Sequence, residues 1–358
     1  MFLFISPDDI DDKLLNQWND LYRRSSVKNI FYHSDFLMPA LRHLMPNITI
    51  KIALIYDDKT NILIGFYPVM FDNHYKIFKC RAINAVSHPY CYAHEPLIDT
   101  DYTEYVIKIL LQELPYYGDM LRMANIQTQS KIYDDLNKIP TPYNDFNSYA
   151  RACLQTDLSA DTYWEYALPK KKRKEINRLS SRLSDTGHIH FEKSPLSNDY
   201  AEKFLELESM GYKGMGGTAI KSNPHHQAFF MDIINGHSDD IIPCIYVLKS
   251  GDIWVSALIG FQTGRYFFAF KTAYHPDFSD YSPGVLLFKQ VTYSLLNDTP
   301  NVIADSCAAP NHPMINSLWR ARIEMTTPEI ALNKRFGIII RGIKSIKFVR
   351  NLFNTRRL

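Results

Sequence analysis

The segment from Arg265 to Trp319 constrains this chain more than any other, because the order of its elements leaves few folds open. Aromatic and small residues recur in Arg265-Tyr-Phe-Phe-Ala-Phe-Lys-Thr-Ala-Tyr274, which predicts a strand. His275-Pro-Asp-Phe-Ser-Asp280 predicts a turn, and Tyr281-Ser-Pro-Gly284 a helix start. Ser282 would be the N-cap, Pro283 would take the first helical position, and Gly284 would allow close approach to the backbone. A short strand ending at Asp305 follows that helix, then His312-Pro313 and a second helix carrying Trp319. Such an arrangement, with an unobstructed helix N-terminus beside a parallel strand that ends in a carboxylate, can hold a phosphorylated carrier next to an acid/base group.

A chain of 358 residues accommodates two domains more readily than one. With 46% hydrophobic and 22% charged residues, it reads as a globular protein able to bury two cores. A net charge of +2 gives no general attraction to nucleic acid, so any anion-binding role must come from local patches. Met1-Phe-Leu-Phe-Ile5 stops at Ser6, Pro7 and two aspartates, which predicts a first strand rather than a signal peptide. No apolar run approaches the length of a membrane span. The five scattered cysteines are expected to be reduced, mostly buried thiols of a cytoplasmic protein.

In chain order, Ile10, Leu14, Leu15, Trp18, Leu21 and Tyr22 fall at helical spacing, and Ser34 caps a second helix. Strands are expected over 48–56 and 62–71, joined by the turn 57–61, and a third over 77–86. Helix 102–114, strand 120–126 and helix 131–136 follow, and the Pro- and Asn-containing stretch 139–147 predicts a linker. The second half repeats this order: strand 152–158, a helical region from Ser159 to about Leu183, and helix 199–210. Strands 242–249, 253–262 and 265–274, helix 283–296, strand 301–305, helix 314–322 and a last strand pair near 324–332 complete it. A duplicated mixed α/β unit is thus inferred from element order: residues 1–148, residues 149–333, and a basic amphipathic segment over 334–358. The copies differ where it matters for an anion. The first-half helix opens at Asp99-Thr-Asp101-Tyr-Thr-Glu104, whose acids suit the helix dipole but repel a diphosphate, so the donor site is expected in the second half.

Several motifs carry a resemblance to a known family. They are Leu168-Pro-Lys-Lys-Lys-Arg-Lys174, Gly211-Tyr-Lys-Gly214 with Gly217-Thr-Ala219, and Phe270-Lys-Thr-Ala-Tyr274, followed by Tyr281-Ser-Pro-Gly284 and by His312-Pro-Met-Ile315 with Trp319. In the first half Phe31-Tyr-His-Ser34 and Glu95-Pro-Leu-Ile-Asp99 also fit. In this order they make the chain resemble the GNAT acyltransferase superfamily in its tandem form. Within it, the chain looks most like Fem-type aminoacyltransferases and the acetyltransferase-like proteins of bacterial cellulose and exopolysaccharide synthesis. The resemblance implies two GNAT-like domains, each a mixed, mostly antiparallel sheet flanked by helices, with the first lacking a donor site and forming a wall for the acceptor. It implies transfer of an acyl group from acetyl-CoA or another acyl-CoA to an amine, with no metal. The acceptor would be an amino sugar or similar precursor of a surface polysaccharide, as a small molecule or lipid-linked. An aminoacyl-tRNA donor is the Fem-type alternative, and a non-catalytic glycan-, membrane- or RNA-binding module on a degenerate core is another. The usual diphosphate loop is matched only at Gly284, since Tyr281 and Leu286 depart from it.

On this reading Lys271, Ala273, Tyr274, Ser282, Pro283, Gly284 and Val285 would hold the carrier, and Lys213, Tyr281, Trp319 and His94 the acceptor. Asp305 is the first candidate for the base and His312 the second, since imidazole titrates near working pH. Each has a plainer role available: Asp305 as a turn cap, His312 as a helix start, Lys271 as an exposed strand position, and the tyrosines as core or rim. The basic run Lys170-Lys-Lys-Arg-Lys174, with Arg178 and Arg182, reads either as a solvated helix face or as an electrostatic funnel for a phosphorylated ligand. The stripe Ile339, Ile343, Ile346, Val349 and Phe353 in Lys334–Leu358 would dock on the protein, or else make peripheral contact with the inner face of a membrane. His88-x-x-Cys91-x-x-His94 lacks a second ligand pair for a metal, and no Gly-x-Ser-x-Gly motif supports a hydrolase.

Overall fold

The computed structural model describes residues 1–342 except 76–77, 212–213, 215 and 237. Its chain divides into two compact units, one made of residues 1–41, 45–149 and those from 324 onward, the other of residues 42–44 and 150–323.

In the first unit, strand β1 (Phe2–Ile5) leads to helix α1 (Asp12–Arg24), which starts where the Asp11 carboxylate accepts the Leu14 N–H at 2.7 Å. Helix α2 (Ser34–His43) follows, then β2 (Ile50–Tyr56), β3 (Leu63–Tyr75) and β4 (Phe78–Ala85) as an antiparallel meander. After β5 (Leu97–Ile98), helix α3 (Thr103–Glu113) crosses back to β6 (Met120–Arg122), which is parallel to β4. Then come β7 (Ile126–Gln127) and α4 (Lys131–Asn137). Leu14, Trp18, Leu21 and Tyr22 bury one face of α1, with the Trp18 indole stacked on Phe66 at 4.2 Å between ring centroids.

The stretch expected as a linker is mostly strand β8 (Tyr143–Leu154). Two of its polar residues bond to Thr326: Thr326 donates to Asp145 at 3.2 Å, and Ser148 lies 3.0 Å from the Thr326 hydroxyl. Asn147 takes a left-handed φ of 50°, which asparagine tolerates, so a composition typical of loops hides an extended segment.

The second unit begins with the end of β8. Helices α5 (Ala160–Ala167) and α6 (Lys170–Ser184) are separate because Leu168 stands before Pro169 and is forced extended, with ψ 134°. Strand β9 (Ile189–Pro195), helix α7 (Asn198–Met210) and helix α8 (Pro224–Ile234) precede the meander β10 (Ile242–Ser250), β11 (Ile253–Thr263) and β12 (Tyr266–Tyr274). Helix α9 (Pro283–Asp298) crosses to β13 (Ile303–Asp305), parallel to β12, and α10 (Pro313–Leu318) leads to β14 (Ala321–Ala331). Each unit therefore has an antiparallel meander, a crossover helix and one parallel strand, the doubled order expected from the sequence. The strand order is β1-β2-β3-β4-β6-β14 in the first unit and β8-β13-β12-β11-β10-β9 in the second.

The last strand departs from that expectation. Read along the chain, 324–332 belongs with the second half, yet Glu329, Ile330 and Ala331 pair with Arg122, Leu121 and Met120 and complete the first unit's sheet. Strand pairing is nonlocal, and an alternating stretch does not name its partner. Past β14, Phe336 and Ile340 are buried in a cluster with Tyr75, Met120 and Ala331, and Ile339 packs at its edge. That much of the C-terminal stripe docks on the protein; Ile343, Ile346, Val349 and Phe353 lie outside the described residues.

Candidate active site

In the second unit, β13 pairs with β12 over three positions only: Tyr266 with Ile303, Phe267 with Ala304 and Phe268 with Asp305. There β13 ends, while β12 continues to Tyr274, paired on its other side with β11. The pairing of the two parallel strands thus ends at Phe268, and β12 runs on six residues further. Phe270 of β12 is the extra residue of a bulge, since consecutive Ile259 and Gly260 of β11 pair with Lys271 and Ala269, and this adds to the local twist. Lys271 and Tyr274 are half-buried on this stretch, and Ala273 is buried.

The 3-10 turn Pro276–Tyr281 carries the chain from β12 to α9. Ser282 takes a left-handed conformation, φ 51° and ψ 55°, and its side chain makes no capping bond. Pro283 has no N–H to satisfy, and its carbonyl accepts the Ser256 hydroxyl at 3.1 Å, which fixes the helix start to β11. Of the three amides expected to face a carrier, Ser282 N–H donates to the Ser279 carbonyl at 3.1 Å and Val285 N–H to the Ser282 carbonyl at 2.9 Å, which leaves Gly284 as the one without such an internal bond among the described residues. Tyr281, Ser282, Gly284 and Val285 are half-buried, which leaves the end of the helix open. A Cβ added at Gly284 would stand 3.0 Å from the Met314 sulfur, so α10 packs beside this end and glycine is what keeps the space. His312, two residues before Met314, is exposed at the N-cap of α10 and makes no side-chain cap.

Arg182, read from the sequence only as part of a basic helix face, joins them. Helix α6 packs against the 3-10 turn, with Ile176, Leu179 and Leu183 buried and its basic residues mostly exposed. This places the Arg182 guanidinium 5.5 Å from the centroid of the Tyr281 ring, next to the residue that begins α9. The signal was present in the sequence as helical phase: Arg182 follows Leu179 by three positions, on the flank of the buried stripe. Another cation-rich spot lies around Lys271. Burial, then Lys271, then His225 push the His226 imidazole of α8 below its ordinary pKa, favouring its neutral form.

Asp305 ends β13 as expected, but its carboxylate is fully engaged. It forms a buried ion pair with Arg151 of β8, the side chains 5% and 2% exposed, and its other oxygen accepts the Cys307 N–H at 2.9 Å. That second bond stabilises the turn in which Cys307 adopts φ 49°. The neighbouring Cys153 thiol is pushed up to about 12 by burial and by the Asp305 charge, and stays protonated. Arg151 was legible as the one charge in the otherwise apolar run Ala150-Arg-Ala-Cys-Leu154.

Trp319 requires a correction. It is 0% exposed, donates its indole N–H to Thr292 at 2.9 Å and packs edge-on against Phe288, so it builds the core and offers an acceptor no surface. His94 is buried in the first unit, its ring edge-on to Tyr32. Lys213 lies outside the described residues. Among the described residues no group of three or more His, Cys, Asp or Glu could hold a metal, and no helix is long and apolar enough to cross a membrane.

The end of β13, the start of α9 and the adjacent arginine fall in the unit to which sequence comparison gives a family. Residues 170–297 match the acetyltransferase (GNAT) domain family, so the second unit carries a GNAT-type acyltransferase domain. Whole-chain comparison with solved structures extends the likeness in fold to both units. FemX superposes with a TM-score of 0.56 at 9% identity, over 87% of this chain and 95% of that one. A conserved protein of unknown function from Bacteroides thetaiotaomicron gives 0.56 at 12% identity, over 92% and 100% of the two chains. The C-terminal domain of a putative lysylphosphatidylglycerol synthetase from Agrobacterium fabrum gives 0.53 at 10%, over 93% and 96%. Membership of the GNAT acetyltransferase domain family thus holds for residues 170–297, while the chain as a whole shares its fold with FemX and the other two structures. No curated protein sequence matches it.

Proposed function

We propose that this protein moves an acyl group, acetyl in the first instance, from acyl-CoA to the amine of an amino sugar or similar precursor of a surface polysaccharide. The observation that carries the reading is the open start of α9 standing at the end of β12, where β12 has already outrun its parallel partner β13. A diphosphate seated there meets the Gly284 amide, the positive end of the helix and the Arg182 guanidinium. The pantetheine arm then runs along β12 past Phe268, where its pairing with β13 ends. In the reaction the neutral amine attacks the thioester carbonyl carbon, the tetrahedral oxyanion collapses, the C–S bond breaks and the thiolate takes a proton. We take His312, exposed two residues before the Met314 that packs on Gly284, as the group that accepts the amine proton. Asp305 acts as a positioning residue, holding the end of β13 through Arg151 and the Cys307 amide.

The test is calorimetry and thermal shift with acetyl-CoA, followed by mass spectrometry of glucosamine incubated with both. A saturable rise in melting temperature with an added acetyl mass on the sugar supports the proposal, and no response to any acyl-CoA overturns it. The shared fold with FemX and the exposed lysines of α6 favour one second reading, an aminoacyl-tRNA donor; product formation that ribonuclease abolishes would select it.

A further inference from the structure

The first unit contains a cavity of about 620 Å³ that the transferase reading leaves unused. Its size is within the roughly 300–1,000 Å³ of small-molecule sites. One face of α1 supplies Asn16, Gln17, Asp20 and Arg24, the β2–β3 hairpin supplies Thr60 and Ile62, and Tyr102 closes it at the entry to α3. We propose that this cavity is a carbohydrate-binding site, selective for a saccharide bearing an amine over one bearing a carboxylate.

The polar lining is held in place before any ligand arrives. Arg24 donates Nε–H to Asp20 at 3.0 Å and an Nη2 hydrogen to the Leu63 carbonyl at 2.9 Å, and its Nη1 is bonded to Asp99. Asp99 is buried, and its second oxygen accepts the Asp101 N–H at 3.1 Å. The Tyr56 hydroxyl donates to Gln17 Oε1 at 3.4 Å, which turns the amide hydrogens away from that bond. Beside this anchored arginine the cavity is bordered by the Asn16 and Gln17 amides and the Asp20 carboxylate, a mixture of donors and acceptors of the kind sugar hydroxyls bond. Exposed Ile62 and the Tyr102 ring give an apolar surface for the C–H face of a pyranose. Two carboxylates stand against one guanidinium, so the cavity is net negative: it repels an acidic sugar and attracts an ammonium, and the half-exposed Asp20 is the carboxylate within a ligand's reach.

The inference does not depend on the transferase reading, because binding is measured with no acyl donor present. Glucosamine, N-acetylglucosamine and glucuronic acid would be titrated into the full-length protein by calorimetry and by saturation-transfer NMR. Glucosamine should bind more tightly than N-acetylglucosamine, and glucuronic acid should not bind. Asp20→Asn should weaken glucosamine about tenfold and N-acetylglucosamine little. Ile62→Lys, at an exposed hairpin position outside the Arg24 network, should abolish binding of both at an unchanged melting temperature. Absence of binding by all three sugars at about 10 mM overturns the proposal. So does binding that neither variant alters, or a preference for glucuronic acid.

Discussion

Arg151 and Asp305 form a buried ion pair that ties the end of β8 to the end of β13, with the Cys307 amide as the third member. The strand whose ending opens the site is thus fixed by a charge pair rather than by apolar packing alone. Such a pair is strongly destabilising when half-removed, because the survivor is left charged in a dry environment.

Arg151→Met should therefore lower stability by about 3–5 kcal/mol, while the double variant Arg151→Met/Asp305→Leu should recover most of that loss. Urea unfolding of the two singles and the double measures the coupling. A double variant no more stable than the worse single would show that the pair is not what holds β13.

Arg182→Ala should raise KM for acyl-CoA about 3- to 10-fold with kcat nearly unchanged, since an exposed cation at the diphosphate contributes to binding before the chemistry. The difference should shrink as salt is raised to about 0.5 M. Steady-state kinetics at two ionic strengths would decide this, and a salt-independent effect would point to lost packing on Tyr281 instead.

Gly284→Val should leave the fold intact, because the nearest obstacle, 3.0 Å from an added Cβ, is the flexible end of Met314. Donor binding should weaken by about tenfold or more as the side chain fills the start of α9. Calorimetry with acetyl-CoA reads the loss; undiminished affinity would move the donor site elsewhere.

Glu192 of β9 is held down to about 2 by hydrogen bonds from Lys249, Tyr200 and Ser194. Its folded-state pKa lies below the unfolded value, so its contribution to stability is fully present above about pH 5. That contribution is lost as the pH falls through 4 towards about 2. The stability gap between wild type and Glu192→Gln should be constant from pH 7 to 5 and close by pH 2. Thermal melts across that range test it, and a gap that persists at pH 2 would be inconsistent with the linkage.

All five cysteines are buried, and Cys153 and Cys244 are each pushed up to about 12, chiefly by burial. A thiol reagent at pH 8 should label the native protein slowly and all five positions quickly in denaturant. Rapid labelling of the native protein would mean that one of them opens to solvent.

Local chemistry settled much of this protein in advance. Apolar spacing at Leu14, Trp18 and Leu21 fixed a buried helix face, Ser282-Pro283-Gly284 fixed where α9 begins, and the repeated element order fixed two like units. These depend on neighbours a few residues apart, which a sequence displays directly. Tertiary structure decided which strands meet and which charges pair. Glu329 to Ala331 join β6, more than two hundred positions away. Asp305 finds Arg151, Arg182 is carried to Tyr281, and Trp319 is drawn into the core. A side chain carries no mark of its distant partner, because long-range contacts are chosen by the packing of whole elements and not by the residue's own propensity.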